Sequence, residues 1–321
     1  MIKTSKTTLN SGSKIVFFGN ERLATGVSTE APVLTDLIEA GYDVTAIVAN
    51  YEMGCSRKTQ TLEVQKISEE HNIPILFPDK PTRIKDQLIN FHAEIAVLAA
   101  YGKIIPQSII DVFPKGIVNI HPSLLPLHRG STPIESVILA GEEKTGVSLM
   151  SLVSAMDAGP VYSQSEVELS GTETKQELAD SLGSIGGSML RELLPDILND
   201  SVVALPQDAD SATYDSLIQK SDGVIDWHKS AVQLEREIRA FSAWPGSRTE
   251  IAEKDVIITK AQTKPKKPGS APGSVSVTDD NALLVQTSDG SLCIERLKPA
   301  GKREMSAKEF LLGYGNQIFT K

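Results

Sequence analysis

Short apolar runs alternate with helix-compatible stretches over the first half of the chain. The runs lie at residues 14–20, 44–49, 73–77, 94–100 and 116–120. Helix-compatible segments separate them, extending to about residue 40 and again from about 83 to 91. Because nearly continuous apolar strands between helices are typical of a sheet covered on both faces, the pattern predicts an α/β fold with an open, mostly parallel, Rossmann-like sheet. Runs at 147–153 and 161–169 predict antiparallel strands at one edge.

The second half of the chain has a different pattern. A helix is predicted at 172–198 from its apolar spacing, and another at about 231–241. Short β-rich runs follow, separated by Pro, Gly and Asp turns, at 256–259, 274–277, 283–287 and 292–297. This spacing predicts a small, OB-like β-barrel. The predicted divisions are a disordered leader at 1–13, a catalytic domain at 14–204, a linker at 205–217 and a C-terminal barrel domain at 218–321.

Composition narrows the class of protein. A chain of 321 residues with 40% hydrophobic content fits one large domain or two ordinary ones, and we favour two. No run of 18 apolar residues occurs, and the first 13 residues contain no apolar signal-peptide core, so no membrane association is expected. The two cysteines, Cys55 and Cys293, lie far apart and support neither a disulfide framework nor a zinc site. We therefore expect a cytoplasmic protein.

The net charge of −9 is distributed unevenly. Residues 1–213 hold 16 Lys and Arg against 27 Asp and Glu, whereas residues 214–321 hold 16 against 14. The C-terminal part therefore has room for a site that binds a polyanion. Charge imbalance by itself more often serves only solubility.

Asn119 and His121 are the first candidates for chemistry. They lie where the strand at 116–120 ends, and ligands of open α/β sheets bind beyond the carboxyl ends of strands. Because side chains alternate along a strand, both point to one face if Val118 and Ile120 point into the core. An amide donor beside an imidazole suits a reaction in which negative charge grows on a carbonyl oxygen.

Asp157, in the turn 154–160 between the two later strands, is the candidate that would orient His121 and stabilise its protonated ring. A simpler interpretation stays open, in which Asn119 and His121 satisfy loop backbone groups and Asp157 is an ordinary turn residue. None of the five histidines has ligand spacing with another, so no metal site is predicted, and His128 is expected on the loop surface.

Distinct motifs surround these residues. They are NIHPSLLP at 119–126, RG at 129–130, PI at 133–134 and MDAGP at 156–160, supported by FGN at 18–20 and YGKIIP at 101–106. The set resembles the formyltransferase superfamily that uses 10-formyltetrahydrofolate. The tail carries ATY at 212–214, GVIDW at 223–227, IRAF at 238–241, WPG at 244–246 and LKPAGKREM at 297–305, which resemble the methionyl-tRNA formyltransferase branch. The resemblance extends from about residue 14 to 315.

The resemblance implies the formyltransferase fold, with Asn119, His121 and Asp157 as the catalytic set. It also implies that 10-formyltetrahydrofolate is the formyl donor and that its site is lined by Ser123, Leu124, Leu125, Pro126, Tyr101, Gly102 and Ile104. The expected reaction formylates the α-amino group of methionine on initiator methionyl-tRNA, giving N-formylmethionyl-tRNA for translation initiation. No metal is implied, and a monomer is expected.

Contacts with tRNA are implied at two places. Arg57 and Lys58 lie where the family has a basic loop, although the loop at 50–61 is shorter here and lacks the usual Gly-Arg-Gly-Lys-Lys wording. In the C-terminal domain, the candidate phosphate contacts are Lys264, Lys266, Lys267, Lys298, Lys302 and Arg303. Charged pairs in exposed loops are by default only solvated.

The chain departs from the sequence motif of the family near the predicted catalytic residues. Pro122 stands where alanine is common, Leu127 and His128 replace an Arg-aromatic pair, and Ser131, Thr132 and Glu135 stand where small residues and Gln are common. Two other enzymes share such a core, an amino-sugar (sugar-nucleotide) N-formyltransferase and a formyltetrahydrofolate hydrolase. A binding module that has lost the chemistry is a third alternative. The sequence motifs of the C-terminal part favour the tRNA enzyme.

Overall fold

The apolar runs of the first part pair into one seven-stranded sheet. The computed structural model describes residues 12–50, 61–278 and 281–315. The strands are β1 (Lys14–Gly19), β2 (Asp43–Val48), β3 (Ile75–Leu76), β4 (Ile95–Ala99), β5 (Ile117–His121), β6 (Lys144–Ser151) and β7 (Val161–Glu168). Their order is β3-β2-β1-β4-β5-β6-β7, parallel through β5 and antiparallel from β5 to β7. The predicted fold class and the antiparallel edge are confirmed.

Helices cover both faces of this sheet. They are α1 (Pro32–Glu39), α2 (Glu63–His71), α3 (Lys85–Asn90), α4 (Gln107–Ile110), α5 (Pro133–Ala140) and α6 (Lys175–Leu198). Neighbouring side chains of β1 enter different cores, with Phe17 packing among the residues of α1 and α6 and Phe18 among those of α3 and α4. Burial on both faces is the physical reason that these strands are continuously apolar. None of the described helices is long and apolar enough to cross a membrane.

Three glycines allow α6 to pack closely against the sheet and against α1. A Cβ atom on Gly186 would lie 2.6 Å from Cγ2 of Ile120, and one on Gly187 would lie 2.1 Å from a carboxylate oxygen of Asp36. At Gly183, a Cβ atom would lie 3.0 Å from Cγ of Pro32. The glycines cost helix propensity, of about 1 kcal/mol each, but they let the helix approach at a distance that larger residues prevent. The contact also fixes Ile120 between the two candidate residues of β5.

The C-terminal part forms a second sheet. It contains α7 (Ala231–Ala240), β8 (Ser247–Ile251), β9 (Lys254–Lys264), β10 (Val275–Val277), β11 (Leu283–Gln286), β12 (Ser291–Pro299), β13 (Met305–Ser306) and α8 (Ala307–Tyr314). The order is β10-β11-β12-β9-β8, all antiparallel, with β13 on β12. The end strands β10 and β8 are not paired with each other in the described residues, so the predicted barrel is a curled half-barrel. The apolar faces of α7 and the strands form its core.

A buried ion pair lies at the junction of the two parts. Lys175, the first residue of α6, is fully buried, and its Nζ donates to the carbonyl oxygens of Thr25 at 2.6 Å and Trp244 at 2.9 Å. Oε1 of the buried Glu135 lies 3.7 Å from that nitrogen and accepts from the amide of Thr25. Glu135 is one of the positions at which the chain departs from the family sequence, and the positive charge of Lys175 compensates the negative charge of its carboxylate. Burial lowers the pKa of Lys175 to about 8.

This pKa predicts a pH-dependent stability. Between about pH 8 and 10.5 the folded chain binds fewer protons at Lys175 than the unfolded chain does. The contribution of Lys175 to the free energy of unfolding therefore rises with pH in this window, by up to ~1.4 kcal/mol per pH unit. In urea denaturation, the free energy of unfolding of the wild type should rise relative to that of Lys175→Met as the pH increases across the window. The exposed Lys66→Met should show no such growth, and a flat difference for Lys175→Met would contradict the prediction.

Candidate active site

Asn119 and His121 line one cavity at the carboxyl end of β5. The cavity has a volume of about 330 Å³ and lies beyond the ends of β4 and β5. Both side chains are almost fully buried, at 5% and 4% exposure, whereas Ile120 between them faces α6. Strand alternation therefore brings the amide and the imidazole to the same face, as the sequence predicts. Asp157 also lines this cavity, so the structure brings the three predicted catalytic residues together.

The imidazole of His121 is held in one orientation. Its Nε2 lies 2.9 Å from the carbonyl oxygen of His128. A carbonyl oxygen can only accept, so Nε2 carries the proton and donates it. The other ring nitrogen, Nδ1, faces the carboxylate of Asp157, with 3.9 Å between Nδ1 and Oδ1. That distance is longer than a hydrogen bond, so Asp157 acts on the ring through its charge or through an intervening water.

Asp157 is itself fixed by the backbone around it. Its φ of 46° is a left-handed conformation that non-glycine residues rarely adopt. Oδ2 accepts a hydrogen bond of 2.8 Å from the amide of Gly130. One carboxylate oxygen is therefore anchored, while the other faces His121. The RG and MDAGP motifs thus meet in space, which explains why both accompany NIHPSLLP in the sequence.

Gln207 and Arg129 support the Asp157 turn, and the sequence did not single out Gln207. Nε2 of Gln207 donates to the carbonyl oxygens of Asp157 at 2.8 Å and Gly159 at 2.6 Å. Its Oε1 accepts from Nε and Nη2 of Arg129, and Nη1 of Arg129 donates to the hydroxyl of Tyr214. The segment predicted as a linker therefore passes directly behind the site. Its polar, proline-containing composition carried no signal of these contacts.

The predicted folate wall is only partly at the cavity. Tyr101, Gly102 and Ile104 line it, with the ring of Tyr101 packed edge-on against Phe18 at a centroid distance of 5.4 Å. Burial raises the pKa of Tyr101 to about 12, so its hydroxyl stays neutral. The cavity also has an apolar wall and two cations that the sequence did not assign to the site, namely Leu98, Ile105, Leu152, Met156, Arg22 and Lys103.

Ser123, Leu124, Leu125 and Pro126 are not among the described residues that line this cavity, and their role in the folate site stays a prediction. Their loop turns back onto β6 instead. Oγ of Ser148 donates to the carbonyl oxygen of Ser123 and accepts from the amide of Leu125. Ser123 is fully buried and Leu125 is 4% exposed. The hydrogen bonds to Ser148 therefore fix the loop beside His121, whereas Leu124 and Pro126 are half-buried and Leu124 lines a neighbouring cavity.

The candidate tRNA contacts fall into two clusters. Arg57 and Lys58 lie outside the described residues. The exposed Lys264, Lys266 and Lys267 lie at the end of β9 and in the loop after it, while the exposed Lys298, Lys302 and Arg303 lie at the end of β12 and beyond. Lys264 pairs with Ser291 and Lys298 with Ile257, so the two clusters lie at opposite ends of the same strand pair. At 3.3 Å per residue the separation is about 23 Å, so they form two patches rather than one.

His128 does not lie on the solvated loop surface, contrary to the prediction. Its side chain is 12% exposed and contacts two carboxylates, those of Asp215 and Glu142. No group of three or more His, Cys, Asp or Glu in the described part of the chain could hold a metal ion.

The fold and this donor set define the chain as a formyl transferase. A family model described as formyl transferase matches residues 21–194, and one described as formyl transferase, C-terminal domain, matches residues 217–315. The methionyl-tRNA formyltransferase of Dehalococcoides mccartyi is 37% identical over 311 residues, covering 94% of this chain and 96% of that protein. The chain belongs to the methionyl-tRNA formyltransferase family.

Solved structures share the fold. HypX from Aquifex aeolicus matches with a TM-score of 0.67 at 16% identity, covering 95% of this chain and 50% of that one, so the chain spans about half the length of HypX. An N-formyltransferase from Helicobacter canadensis, solved with folinic acid and dTDP-3-aminofucose, matches with a TM-score of 0.65 at 17% identity and covers 88% of this chain and 98% of that one.

Proposed function

We propose that the chain transfers the formyl group of 10-formyltetrahydrofolate to the α-amino group of methionine on initiator methionyl-tRNA. The observation that carries this proposal is the convergence of Asn119, His121 and Asp157 on one cavity, in a chain whose relatives are methionyl-tRNA formyltransferases. The product is N-formylmethionyl-tRNA, which serves translation initiation, and the cytoplasm is the compartment that fits this role. We retain a monomer as the expected state.

In the proposed mechanism, the amine attacks the formyl carbon and negative charge develops on the formyl oxygen. The amide nitrogen of Asn119 donates to this oxygen, and the protonated Nδ1 of His121 donates beside it. Asp157 stabilises the imidazolium and accepts the proton of the attacking amine through a water. The new C–N bond forms, the bond from the formyl carbon to the folate nitrogen breaks, and that nitrogen leaves with the proton that the amine gave up, returned through the same water. No step requires a metal.

The walls of the cavity support folate as the donor. Apolar side chains from Leu98, Ile105 and Leu152 suit the flat ring system. Arg22 and Lys103 place positive charge on the wall, which suits the carboxylates of a folate tail. Nζ of Lys103 donates to the carbonyl oxygen of Pro78 at 3.0 Å, which holds the ammonium in place. We assign these residues, with Tyr101, Gly102 and Ile104, to the folate site.

The two cationic patches of the C-terminal part are the proposed tRNA contacts. Because tRNA presents phosphates along its whole acceptor arm, two patches about 23 Å apart can contact one molecule. Lys298 additionally lines a shallow cavity of about 550 Å³ with Arg248 and Asp255. We propose that this part of the chain, from about residue 218, positions the acceptor end of the tRNA over the cavity that contains His121.

The choice of acceptor tests the proposal against its rivals. Purified protein and 10-formyltetrahydrofolate are incubated with methionyl-initiator tRNA, with a nucleotide-linked amino sugar, or with no acceptor, and donor consumption is followed. Consumption that depends on methionyl-tRNA is the expected result. Faster consumption with the amino sugar would replace the proposal with a sugar N-formyltransferase, and equal formate release without acceptor would replace it with a hydrolase. No consumption in any arm would favour a binding module.

A further inference from the structure

The imidazole of His128 lies between two carboxylates from different segments. Its Nδ1 is 3.1 Å from Oδ1 of Asp215, and its Nε2 is 3.0 Å from Oε1 of Glu142. Asp215 belongs to the segment at 205–217, and Glu142 lies just beyond the end of α5. The φ of His128 is 56°, a left-handed conformation that needs support from its surroundings. The sequence places an unusual residue here, and the structure gives it partners on both sides.

Both nitrogens must donate if both hydrogen bonds are formed, because ionised carboxylates only accept. The ring is then an imidazolium. The hydrogen bond to Asp215 is the largest cause that raises the pKa of His128, and the charge of Glu142 adds to it while burial opposes it. Glu143, Lys144 and Glu166 line the adjoining cavity, and Lys144 is paired with Glu166 at 2.6 Å. No described residue donates to Oδ2 of Asp215.

The backbone of His128 connects this cluster to the reacting groups. Its carbonyl oxygen accepts from Nε2 of His121, as described above. Its amide donates to Oγ1 of Thr213 at 2.8 Å. Arg129 continues the pairing, since its amide donates to the carbonyl oxygen of Thr213 and its carbonyl oxygen accepts from the amide of Asp215. One short loop therefore contacts the catalytic imidazole on one side and the interdomain segment on the other.

We propose that His128 is a positioning residue whose imidazolium fastens the segment 213–215 to the loop that orients His121. Deprotonation removes one of the two donors, so that one carboxylate loses its partner and the loop is less firmly held. Both hydrogen bonds of the His128 ring are present at low pH, and one is lost as the pH rises through the pKa of His128. The kinetic part of this inference rests on the proposed function, whereas the titration of His128 does not.

The expected kinetic effect separates positioning from binding. His128→Ala should lower kcat by ~10-fold, in the range that a small displacement of a catalytic group produces, with little change in the KM for the folate donor. In the wild type, kcat should fall by a similar factor as the pH rises through the pKa of His128. Asp215→Asn should move that loss to lower pH, because it removes the largest cause of the raised pKa. Glu142→Gln should do the same to a smaller extent.

His228 supplies the matched control. It forms the same kind of pair, with 3.1 Å between its Nδ1 and Oδ1 of Asp226, but its side chain is 82% exposed and lies in the C-terminal part. His228→Ala should leave kcat and its pH profile unchanged. A loss of kcat equal to that of His128→Ala would contradict the proposal, because it would show that the effect is not specific to the loop beside His121.

Titration by NMR of histidine-labelled protein tests the inference without any assay of activity. The His128 resonance should titrate with a midpoint above 6.5, and the midpoint should fall in Asp215→Asn. The His121 resonance should respond to the titration of His128 at the same midpoint in the wild type, and this response should move to lower pH together with the His128 midpoint in Asp215→Asn. An unchanged His128 midpoint in Asp215→Asn, or a His121 resonance that does not respond to the titration of His128 in the wild type, would overturn the proposal. These outcomes are readable even if the protein formylates a different acceptor, and Asp215→Asn and Glu142→Gln suffice if His128→Ala does not fold.

Discussion

Replacement of Asn119 or His121 by alanine should lower the rate of formyl transfer by ~10² to 10³-fold each. Each side chain is nearly buried in the cavity and would donate to the oxygen on which charge develops, so its loss is felt in the transition state more than in the bound ground state. Single-turnover transfer to methionyl-tRNA measures the effect. Affinity for the folate donor, measured by fluorescence or calorimetry, should change little.

Two controls make this result specific. His71→Ala removes an exposed histidine at the end of α2 and should leave the rate unchanged. The double variant Asn119→Ala/His121→Ala should lose less than the product of the single losses, because the two groups act on one oxygen. Near-normal turnover in either single variant would remove that residue from the mechanism.

The second large effect concerns salt. If all six C-terminal cations contact phosphates, the affinity for tRNA should fall by ~10³-fold between about 50 and 200 mM salt. Lys298→Glu combined with Lys302→Glu should weaken binding at low salt and lower the slope of log affinity against log salt by about 2. The binding constant is measured by filter binding or fluorescence anisotropy across the salt series.

Lys85→Glu reverses one exposed lysine on α3 of the first part and is matched in its change of charge with Lys298→Glu alone. It should leave the salt slope nearly unchanged. The patch at 264–267 should contribute separately from Lys298 and Lys302, because the two patches lie at opposite ends of β9 and β12. A flat salt response in the wild type, or equal effects of Lys85→Glu and the C-terminal reversal, would contradict the electrostatic footprint.

The sheet could be predicted because its strands are buried on both faces and therefore appear as apolar runs. Strands that mix polar and apolar residues were harder to predict. The strand β8 (Ser247–Ile251) has the sequence SRTEI, in which only Ile251 is apolar, and was not predicted, and β9 extends beyond its predicted core through Lys260 and Gln262. A strand at the surface of a half-barrel needs only alternate apolar residues, so its sequence signal is weak.

The site divides in the same way. The alternation of side chains along the strand predicted that Asn119 and His121 lie together, and the resemblance to the family implied that Asp157 acts with them. The roles of Gln207 and His128 depend on contacts across 50 residues to Asp157 and 87 residues to Asp215, and neither spacing is visible in a local pattern. The folate wall predicted at 123–126 stays a prediction, because these residues adjoin the cavity at Pro122 and His121 without lining it. In the structure their polar groups are bonded to Ser148 of β6.

Direct identification of the product is the most decisive measurement. The wild-type protein is incubated with initiator tRNA charged with methionine and with 10-formyltetrahydrofolate carrying an isotope in the formyl group. The tRNA is then deacylated and the released amino acid is analysed by mass spectrometry. N-formylmethionine bearing the isotope is the predicted result, with strongly reduced labelling by His121→Ala under the same conditions. Release of unmodified methionine alone by the wild type would contradict the proposed function.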